Sequence, residues 1–359
     1  MAAGEAAIRP REDVPLAPLT TIGIGGSARW YLRARTVDEV RSGHAWARDR
    51  GVPLFVLGGG SNIVVSDAGF PGLVLHVGVR GVVWQRSGDD AVVDAGAGES
   101  WDDLVSEAVE GGYAGIECLS GIPGLVGGTP IQNVGAYGQE VADAIQSIVA
   151  LDAVTNEMVS IPAAECGFSY RNSRFKRGDA GRFTVCRVRF RLRRGRPRVA
   201  YPDVIAWVER SRLREPDVRD IRRGVLEIRR GKGMVLDPAD PDTRSVGSFF
   251  VNPVVSAALP LESGAPLYPM ADGRVKIAAA WLIQRAGFPR GFEAGPVGLS
   301  SRHPLAIVNR GGARAEDVLD LACRIKRAVL DRFGIALLPE PVFVGLAGDA
   351  RVRFLQRAD

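Results

Sequence analysis

An uncharged, glycine-rich stretch from Gly121 to Gly138 constrains the fold of this chain more than any other segment. It contains six glycines and no Asp, Glu, Lys or Arg, and it shows no helix or strand periodicity. A loop of this length is uncommon in a compact domain unless it binds something. The pattern favours a site for a flat aromatic ring with a pyrophosphate tail over a purely structural loop.

A second glycine loop, Gly58-Gly59-Gly60-Ser61-Asn62, follows a short apolar strand that ends at Leu57. Consecutive glycines allow a ligand to approach the backbone closely, and their N–H groups can converge on phosphate oxygens. Ser61 and Asn62 would add side-chain donors. By itself this loop is better explained as a mobile turn. Together with the stretch from Gly121 to Gly138, it predicts a phosphate cradle.

Two common nucleotide-binding motifs are excluded. Gly96-Ala97-Gly98 lies between a predicted strand and a predicted helix, like the start of a dinucleotide fingerprint, but Trp101 occupies the position of the third glycine. The segment Gly121 to Gly128 lacks the Lys that a P-loop requires. A nucleotide would therefore be bound by a fold that is neither of the Rossmann nor of the P-loop type.

Length and composition indicate a folded, multidomain protein. The chain has 359 residues, 46% of them apolar and 24% charged, which predicts about two or three domains. The four cysteines lack the spacing of zinc ligands and of a disulfide framework, so we predict reduced thiols and no metal site. Met1 to Pro15 has no apolar core of signal-peptide type, and no run of about 18 apolar residues occurs. We expect a cytoplasmic protein without membrane insertion.

The net charge of +5 and the pI of about 9.2 do not separate an enzyme for phosphorylated substrates from a nucleic-acid-binding protein. Every second residue from Arg187 to Arg193 is an arginine, so these side chains line one face of a strand. That face carries no aromatic residue on which a base could stack. A solvated face is the better interpretation.

Hydrophobic periodicity predicts a mixed α+β protein without internal repeats. Predicted helices are Thr36 to Arg50, a helix from Ser100, Tyr201 to Arg230, Val275 to Ala286 and Glu316 to Phe333. Predicted strands are Ala28–Ala34, Leu54–Leu57, Leu73–Val77, two between Val82 and Ala95, Ile145–Leu151, Met158–Ile161, Phe183–Leu192, Ala306–Val308 and Ala336–Gly345.

Three further motifs accompany the two glycine loops: Tyr170-Arg171-Asn172-Ser173, the segment Gly247-Ser248-Phe249-Phe250-Val251-Asn252-Pro253, and Leu338-Pro339-Glu340. Their order resembles that of UDP-N-acetylenolpyruvoylglucosamine reductases, the MurB family, from about Thr20 to Gly345. Each motif is short and arises singly by chance. Five in the same order across most of the chain are specific.

The resemblance implies an α+β fold with an FAD-binding domain of the PCMH/vanillyl-alcohol-oxidase-like type in two lobes, plus a C-terminal α+β substrate-binding domain. We place the first FAD-binding lobe at residues 1–78, completed by a C-terminal strand at 336–359. The second lobe would span 79–200 and the substrate-binding domain 201–335. The predicted contacts to non-covalent FAD are Leu57, Gly58, Gly59, Gly60, Ser61, Asn62, Gly121, Ile122, Pro123, Gly124, Gly127, Gly128, Gln132, Asn133, Gly135, Ala136 and Tyr137.

The implied activity is the NADPH-dependent reduction of UDP-N-acetylglucosamine enolpyruvate to UDP-N-acetylmuramate, a step of peptidoglycan synthesis in cell-wall biogenesis. Hydride would reach the enolpyruvyl methylene carbon, and negative charge would develop on the neighbouring carbon and its carboxylate. Arg171 would stabilise that charge, because a guanidinium offers paired donors and stays protonated. Ser248 would donate the proton. Glu340 would act with Arg171 on the enol.

For the UDP-sugar, the resemblance implies aromatic contacts from Tyr201 and Tyr268, phosphate contacts from Lys232 and Lys276, and a donor from Asn252. Tyr201 and Tyr268 resemble the subclass with an extra Tyr-bearing substrate loop. Val251 departs from the family pattern, since many members carry Lys there. We expect a monomer that does not bind nucleic acid.

Two rival functions stay open at this point. An oxidase of the same flavin fold would use oxygen and often carries a His in a glycine loop, whereas His44, His76 and His303 all lie outside these loops. A nucleotide- or RNA-binding protein would fit the high pI. Such a protein would be colourless and would bind polyanions with a steep salt dependence.

Overall fold

The computed structural model describes residues 8–256, 264–270 and 272–358. The chain forms two compact units. We call them the N-terminal unit (Met1–Val14, Ala28–Gly60 and Pro71–Val235) and the C-terminal unit (Pro15–Ser27, Ser61–Phe70 and Leu236–Asp359). The chain therefore enters the C-terminal unit twice before it reaches the long C-terminal segment.

The described residues form strands and helices that alternate irregularly along the chain. The helices are α1 (Val37–Asp49), α2 (Trp101–Glu110), α3 (Pro202–Arg210), α4 (Val218–Gly231), α5 (Ala279–Arg285), α6 (Ala315–Phe333) and α7 (Ala350–Gln356). The strands are β1 (Arg11–Pro15), β2 (Ser27–Ala34), β3 (Leu54–Leu57), β4 (Ile63–Val65), β5 (Phe70–Val77), β6 (Val82–Ser87), β7 (Asp90–Gly96), β8 (Tyr113–Ala114), β9 (Gly135–Ala136), β10 (Gln139–Glu140), β11 (Ile145–Asp152), β12 (Glu157–Pro162), β13 (Phe183–Arg194), β14 (Ser245–Ser248), β15 (Val254–Ser256), β16 (Leu267–Pro269), β17 (Arg274–Ile277), β18 (Glu293–Ala294), β19 (Val297–Leu299), β20 (Ala306–Asn309) and β21 (Val342–Val344).

A four-stranded sheet of order β1-β2-β5-β3 supports the first glycine loop. The predicted helix α1 is confirmed, and its cap is the hydroxyl of Thr36, which accepts the N–H of Glu39 at 3.1 Å. Val40 and Ala47 are buried with Leu75 of β5 in one core. Strand β3 runs parallel to β5 and ends at the buried Leu57, so the loop begins at the carboxyl end of a strand.

The second sheet of the N-terminal unit is antiparallel and has the order β12-β11-β13-β7-β6. Val188, Phe190 and Leu192 of β13 are buried, which leaves the arginines on the other face as predicted. Asp94 of β7 pairs with both Arg187 and Arg189 on that face. The arginine ladder is thus balanced by carboxylates of the neighbouring strand.

The charged segment from Tyr201 to Arg230 was predicted as helical, and it forms two helices rather than one. Helix α3 ends at Arg210, and α4 begins after Asp217, whose carboxylate accepts the N–H groups of Arg219 and Asp220. Pro216 precedes this cap, and a proline disfavours helical geometry in the residue before it. The break therefore has a local cause.

The C-terminal unit contains an antiparallel sheet of order β14-β20-β19-β18, a three-stranded sheet of order β15-β17-β16, and a parallel pair formed by β21 and β4. Helix α6 is its longest helix and confirms the prediction for Glu316 to Phe333. The apolar face of α6 buries Val318, Ala322, Ile325 and Val329. This face and the sheets form one hydrophobic core.

Two predictions for this unit are wrong in part. Arg274 to Ile277 is the central strand of the three-stranded sheet rather than the start of a helix, and only Ala279–Arg285 is helical. Ala336 to Gly345 contains strand geometry only at Val342–Val344, since Pro339 and Pro341 lack the N–H that a sheet ladder needs. The segment from 336 to 359 also ends in helix α7 rather than in a continued strand.

Three cysteines are buried and Cys323 is partly exposed, and all four are free thiols. Burial raises the pKa of Cys118 to about 12 and that of Cys186 to about 11. These thiols are therefore protonated near neutral pH. Across residues 8–256, 264–270 and 272–358, none of the helices combines the length and the hydrophobicity that a transmembrane segment requires.

Candidate active site

The two glycine loops meet inside the N-terminal unit. A Cβ atom on Gly59 would lie 2.6 Å from the Cα atom of Gly124, so only glycine permits this approach of the two backbones. Among the described residues, the N–H groups of Gly58, Gly59, Gly60 and Gly124 donate no hydrogen bond to protein. A cluster of outward-facing N–H groups binds anions such as pyrophosphate. The close approach of the loops and their unused N–H groups fit the predicted phosphate cradle, which stays a prediction.

Trp101 anchors the second loop. Its side chain is fully buried, its backbone N–H donates to the carbonyl of Gly124 at 3.1 Å, and its indole N–H donates to the carbonyl of Leu119 at 3.1 Å. The residue that breaks the dinucleotide fingerprint thus holds the loop against helix α2. A glycine at this position would remove the buried ring and the indole hydrogen bond.

Asn133 braces the middle of the second loop from within. Its side chain is buried, donates to Glu140 and to the carbonyl of Ser169, and accepts the N–H of Ala142. Its φ angle of +48° is unusual for a residue other than glycine. Its amide is therefore committed to the protein, and the flavin contact predicted for Asn133 would come from its backbone. The other predicted flavin residues of this loop lie along the same segment: Ile122, Pro123, Gly127, Gly128, Gln132 and Ala136.

Arg171 lies beside the end of this loop. One of its Nη atoms donates to the carbonyl of Gly135 at 2.5 Å, and its guanidinium stands 5.4 Å from the ring centre of Tyr170. Its φ angle is +54°, a conformation that costs about 1–3 kcal/mol and that persists only where the surroundings impose it. Such strain is typical of functional residues. The predicted charge-stabilising residue is thus tied to the end of the second glycine loop.

A cluster of aromatic and charged side chains surrounds Tyr137 at the end of the loop. The ring of Tyr201 meets that of Tyr137 edge-on at 5.4 Å, and Lys232 Nζ lies 5.5 Å from the centre of the Tyr137 ring. Lys232 also pairs with Asp203 of helix α3 at 2.5 Å. Two predicted substrate residues, Tyr201 and Lys232, are therefore brought next to a predicted flavin residue.

In the C-terminal unit, Ser248 and Glu340 lie on paired backbone segments. The N–H of Glu340 donates to the carbonyl of Phe249 at 2.8 Å, and the N–H of Val251 donates to that of Leu338 at 3.0 Å. Phe249 is fully buried beneath this pairing. The Gly247 to Pro253 and Leu338-Pro339-Glu340 motifs, distant in sequence, are thus adjacent in space. Asn62 extends the cluster, because its amide donates to the carbonyl of Glu340 at 3.3 Å.

His303 is a partner of Ser248 that the sequence did not reveal. The Ser248 Oγ and His303 Nε2 atoms are 3.2 Å apart. The loop that carries His303 is held by Asp242, whose carboxylate accepts both the hydroxyl and the N–H of Ser301. The side chain of Ser300, in turn, accepts the N–H of His303 at 3.2 Å. The available sequence signal was the polar run Ser300-Ser301-Arg302-His303 before Pro304. This run does not show that His303 contacts Ser248.

The remaining predicted substrate residues lie around the three-stranded sheet. Tyr268 and Lys276 face each other across β16 and β17, with Lys276 Nζ 5.8 Å from the ring centre of Tyr268. Asn252 accepts the N–H of Ala279 at 2.9 Å and so caps helix α5. The side-chain oxygen of Asn252 therefore has a structural role. The hydrogen bond to Ala279 does not use the amide N–H₂ of Asn252.

Comparison with known proteins decides the family. A family model described as an FAD binding domain matches residues 28–157, and one described as the C-terminal domain of UDP-N-acetylenolpyruvoylglucosamine reductase matches residues 238–344. A UDP-N-acetylenolpyruvoylglucosamine reductase of Thermobifida fusca is 46% identical, over 93% of this chain and 98% of the relative. The chain belongs to the UDP-N-acetylenolpyruvoylglucosamine reductase family.

Further relatives support the same assignment. A reductase of this name from Streptomyces avermitilis is 46% identical, over 94% of this chain and 96% of the relative. The crystal structure of the MurB protein of Thermus caldophilus has a TM-score of 0.65 at 28% identity and covers 94% of this chain and 100% of that chain. The predicted α+β fold with an FAD-binding domain is confirmed. The protein is a flavin-dependent oxidoreductase with FAD as its cofactor.

Proposed function

We propose that this protein reduces UDP-N-acetylglucosamine enolpyruvate to UDP-N-acetylmuramate in peptidoglycan synthesis, with NADPH as the electron donor. The observation that supports the proposal is the backbone pairing of the Gly247 to Pro253 motif, which carries Ser248, with the Leu338-Pro339-Glu340 motif. Flavin domains are shared by many oxidoreductases, so the cradle alone does not define the reaction. The side chains of Arg171, Ser248 and Glu340 would define it.

The described residues fit FAD. Gly59 and Gly124 leave no room for side chains where the loops meet, and the N–H groups around them are available to a pyrophosphate. The chemistry supplied by bound FAD would be hydride transfer, from NADPH to the enolpyruvyl methylene carbon. Leu57, Gly58, Gly60, Ser61 and the second glycine loop would hold this cofactor without a covalent bond.

Side chains of the protein would then stabilise the negative charge that develops on the substrate and would supply the proton. Arg171 would pair with the substrate carboxylate and stabilise the negative charge that spreads into it. Glu340 would act with Arg171 on the enol. The Ser248 Oγ–H would donate its proton to the carbon next to the methylene group, and His303 would hold that hydroxyl in place through the 3.2 Å contact.

Binding of the UDP-sugar would use the five predicted substrate residues. Tyr201 and Lys232 would contact the nucleotide or its phosphates, and Lys232 would exchange Asp203 for a phosphate. Asn252, Tyr268 and Lys276 would make the other predicted substrate contacts. In this proposal residues 1–78 with 336–359, residues 79–200 and residues 201–335 act as two flavin lobes and a substrate domain. We also propose a cytoplasmic monomer that binds no nucleic acid.

Steady-state NADPH oxidation by the purified yellow protein tests the proposal. NADPH should be consumed rapidly only when UDP-N-acetylglucosamine enolpyruvate is present, under argon as well as in air. Substrate-independent consumption that requires oxygen would identify an oxidase instead. A colourless protein that binds polyanions with a steep salt dependence would identify a nucleic-acid-binding protein.

A further inference from the structure

Arg229 is an unusual buried cation. Its residue is 6% exposed, it lies in the last turn of helix α4, and its Nε atom has no hydrogen-bond partner among the described residues. A buried guanidinium is costly unless it is paired, and apolar side chains of similar volume are often more stabilising. Global stability therefore does not explain why an arginine occupies this position.

The bonds of Arg229 lead to the start of the stretch from Gly121 to Gly138, which we call the flavin loop. One Nη atom donates to the carbonyl of Gly121 at 3.2 Å and to the carbonyl of Met234 at 2.7 Å. The N–H of Gly121 donates to Asp102 of helix α2 at 2.6 Å, and Asp102 accepts two bonds from Arg222 of α4. Both polar groups of Gly121 are thus held by charged side chains, one carboxylate and one guanidinium.

The same guanidinium also reaches the end of the loop. Burial raises the pKa of Tyr137, and the Arg229 guanidinium that faces the phenol opposes this increase. Tyr137 has a φ angle of +49°, which is uncommon for an aromatic residue and has to be imposed by its contacts. Gly121 and Tyr137 lie near opposite ends of the stretch from Gly121 to Gly138. One buried side chain is therefore hydrogen-bonded to the first end and acts electrostatically on the second.

We propose that Arg229 is a positioning residue that clamps both ends of the flavin loop in the conformation that binds FAD, and that links this loop to the helix turn that presents Lys232. Arg229 and Lys232 are three residues apart in α4 and its cap, so a shift of this turn moves both side chains. The inference rests on the proposed role of the loop in flavin binding.

Arg229→Met and Arg230→Met form a matched pair that tests the proposal. Arg230 is the next residue of the same helix and is exposed, so the two substitutions remove the same charge from the same turn. We expect Arg229→Met to raise the Kd for FAD by about 10- to 100-fold in the purified holoenzyme, the effect of losing one or two charge-assisted hydrogen bonds. Arg230→Met should change it less than about twofold. Equal Kd values for the two variants would overturn the proposal.

The conservative variant and the flavin spectrum separate positioning from simple stabilisation. Arg229→Lys keeps the charge but lacks the planar fork that serves several acceptors, so it should recover little of the lost FAD affinity. At saturating FAD, Arg229→Met should also alter the visible absorption and circular dichroism bands of the bound flavin. Full recovery by lysine, or unchanged spectra at saturation, would contradict a clamp of this geometry.

Tyr137→Phe covers the case in which Arg229→Met does not fold. It removes only the phenol, and we expect FAD to bind about 3- to 10-fold more weakly, the effect of one lost hydrogen-bonding group. The double variant Tyr137→Phe/Arg229→Lys should bind FAD no more weakly than whichever single variant has the lower affinity, because both substitutions act on one clamp. Strictly additive losses would refute the coupling.

Gly124→Val distinguishes a failed clamp from a failed loop assignment. If it weakens FAD binding and Arg229→Met does not, the loop binds flavin and the clamp is wrong. If neither variant changes FAD affinity, the loop does not bind flavin, and both the clamp and the proposed cofactor site are wrong.

Discussion

The proposed flavin cradle of the N-terminal unit and the proposed catalytic cluster of Ser248 and Glu340 in the C-terminal unit are built from different parts of the chain. The cradle would use the backbone: Gly58, Gly59, Gly60 and Gly124 would contribute N–H groups and the absence of a Cβ. The cluster uses side chains, and its backbone hydrogen bonds serve to bring distant motifs together. Substitutions should accordingly act on cofactor affinity in the first region and on reaction rate in the second.

This difference has a physical origin. Pyrophosphate carries its charge on every face, so many weak donors from a fixed backbone can bind it without a particular side chain. A proton has to be delivered to a single carbon, so it requires one hydroxyl at one place. A backbone site fails when a Cβ is added. A side-chain site fails when one group is removed.

The largest effect is expected from Ser248→Ala. Loss of a positioned proton donor lowers a rate by roughly 10² to 10⁴-fold, and we expect the upper end of this range for transfer from reduced flavin to the enolpyruvyl substrate. Reduction of the flavin by NADPH does not need this proton and should stay within about twofold. Stopped-flow measurement of the two half-reactions separates them. If both half-reactions slow equally, Ser248 is not the proton donor and the comparison of the two regions breaks down.

Gly59→Ala should affect the other region. The added methyl would lie 2.6 Å from the Cα atom of Gly124, so one loop has to move. Overpacking of this kind costs about 1–3 kcal/mol, and we expect FAD to bind about 10- to 100-fold more weakly, as measured by fluorescence of released flavin. Gly195→Ala, where a Cβ would meet no atom within 4 Å, is the control. A change in the rate of flavin-to-substrate transfer at saturating FAD, with unaltered affinity, would contradict the division of labour.

Acid should destabilise the N-terminal unit through His44. Burial, and secondarily Arg48, lower its pKa to about 4, while the unfolded value is about 6.5. The folded state thus favours the neutral ring, so its stability is fully present above about pH 6.5 and is lost as the pH falls towards 4. The expected loss from His44 is about 2 kcal/mol between pH 7.5 and pH 5.

His44→Gln is the variant for this test, because glutamine can keep the 2.8 Å hydrogen bond to Thr184 without titrating. Urea unfolding at saturating FAD should show a smaller pH dependence in the variant than in the wild type. His76, whose pKa burial and Arg33 also lower to about 4, contributes to the sensitivity of the same unit in the same direction. An unchanged pH slope in His44→Gln would show that this ring is not neutral in the folded protein.

The smallest effect is expected from His303→Gln. This side chain contacts Ser248 rather than the substrate, so its loss should slow flavin-to-substrate transfer about 5- to 10-fold and leave FAD affinity unchanged. The same stopped-flow protocol applies. A loss as large as that of Ser248→Ala would move His303 from a positioning role to a catalytic one. A loss of FAD affinity would instead show that a residue of the catalytic cluster also affects cofactor binding, which would contradict the separation of the two regions.

Local sequence signals predicted the elements that depend on local physics. Thr36 and Ser100 cap α1 and α2 through the side-chain bonds expected of N-cap residues. The strand from Leu54 to Leu57 and the long helix α6 followed from apolar periodicity. Glycine spacing marked the two loops of the cradle, because close backbone approach excludes every other residue. These features need no knowledge of distant contacts.

Nonlocal contacts decided what the sequence mispredicted or missed. Arg274 to Ile277 is a strand because β15 and β16 pair with both of its edges, which overrides its helical periodicity. His303 and Arg229 are polar residues whose importance depends on partners far along the chain, Ser248 and Gly121. The sequence alone determined the FAD-binding type of domain and the family, since glycine spacing and motif order are properties of the linear sequence. Only the tertiary structure decided which side chains meet, because hydrogen bonds act between neighbours in space.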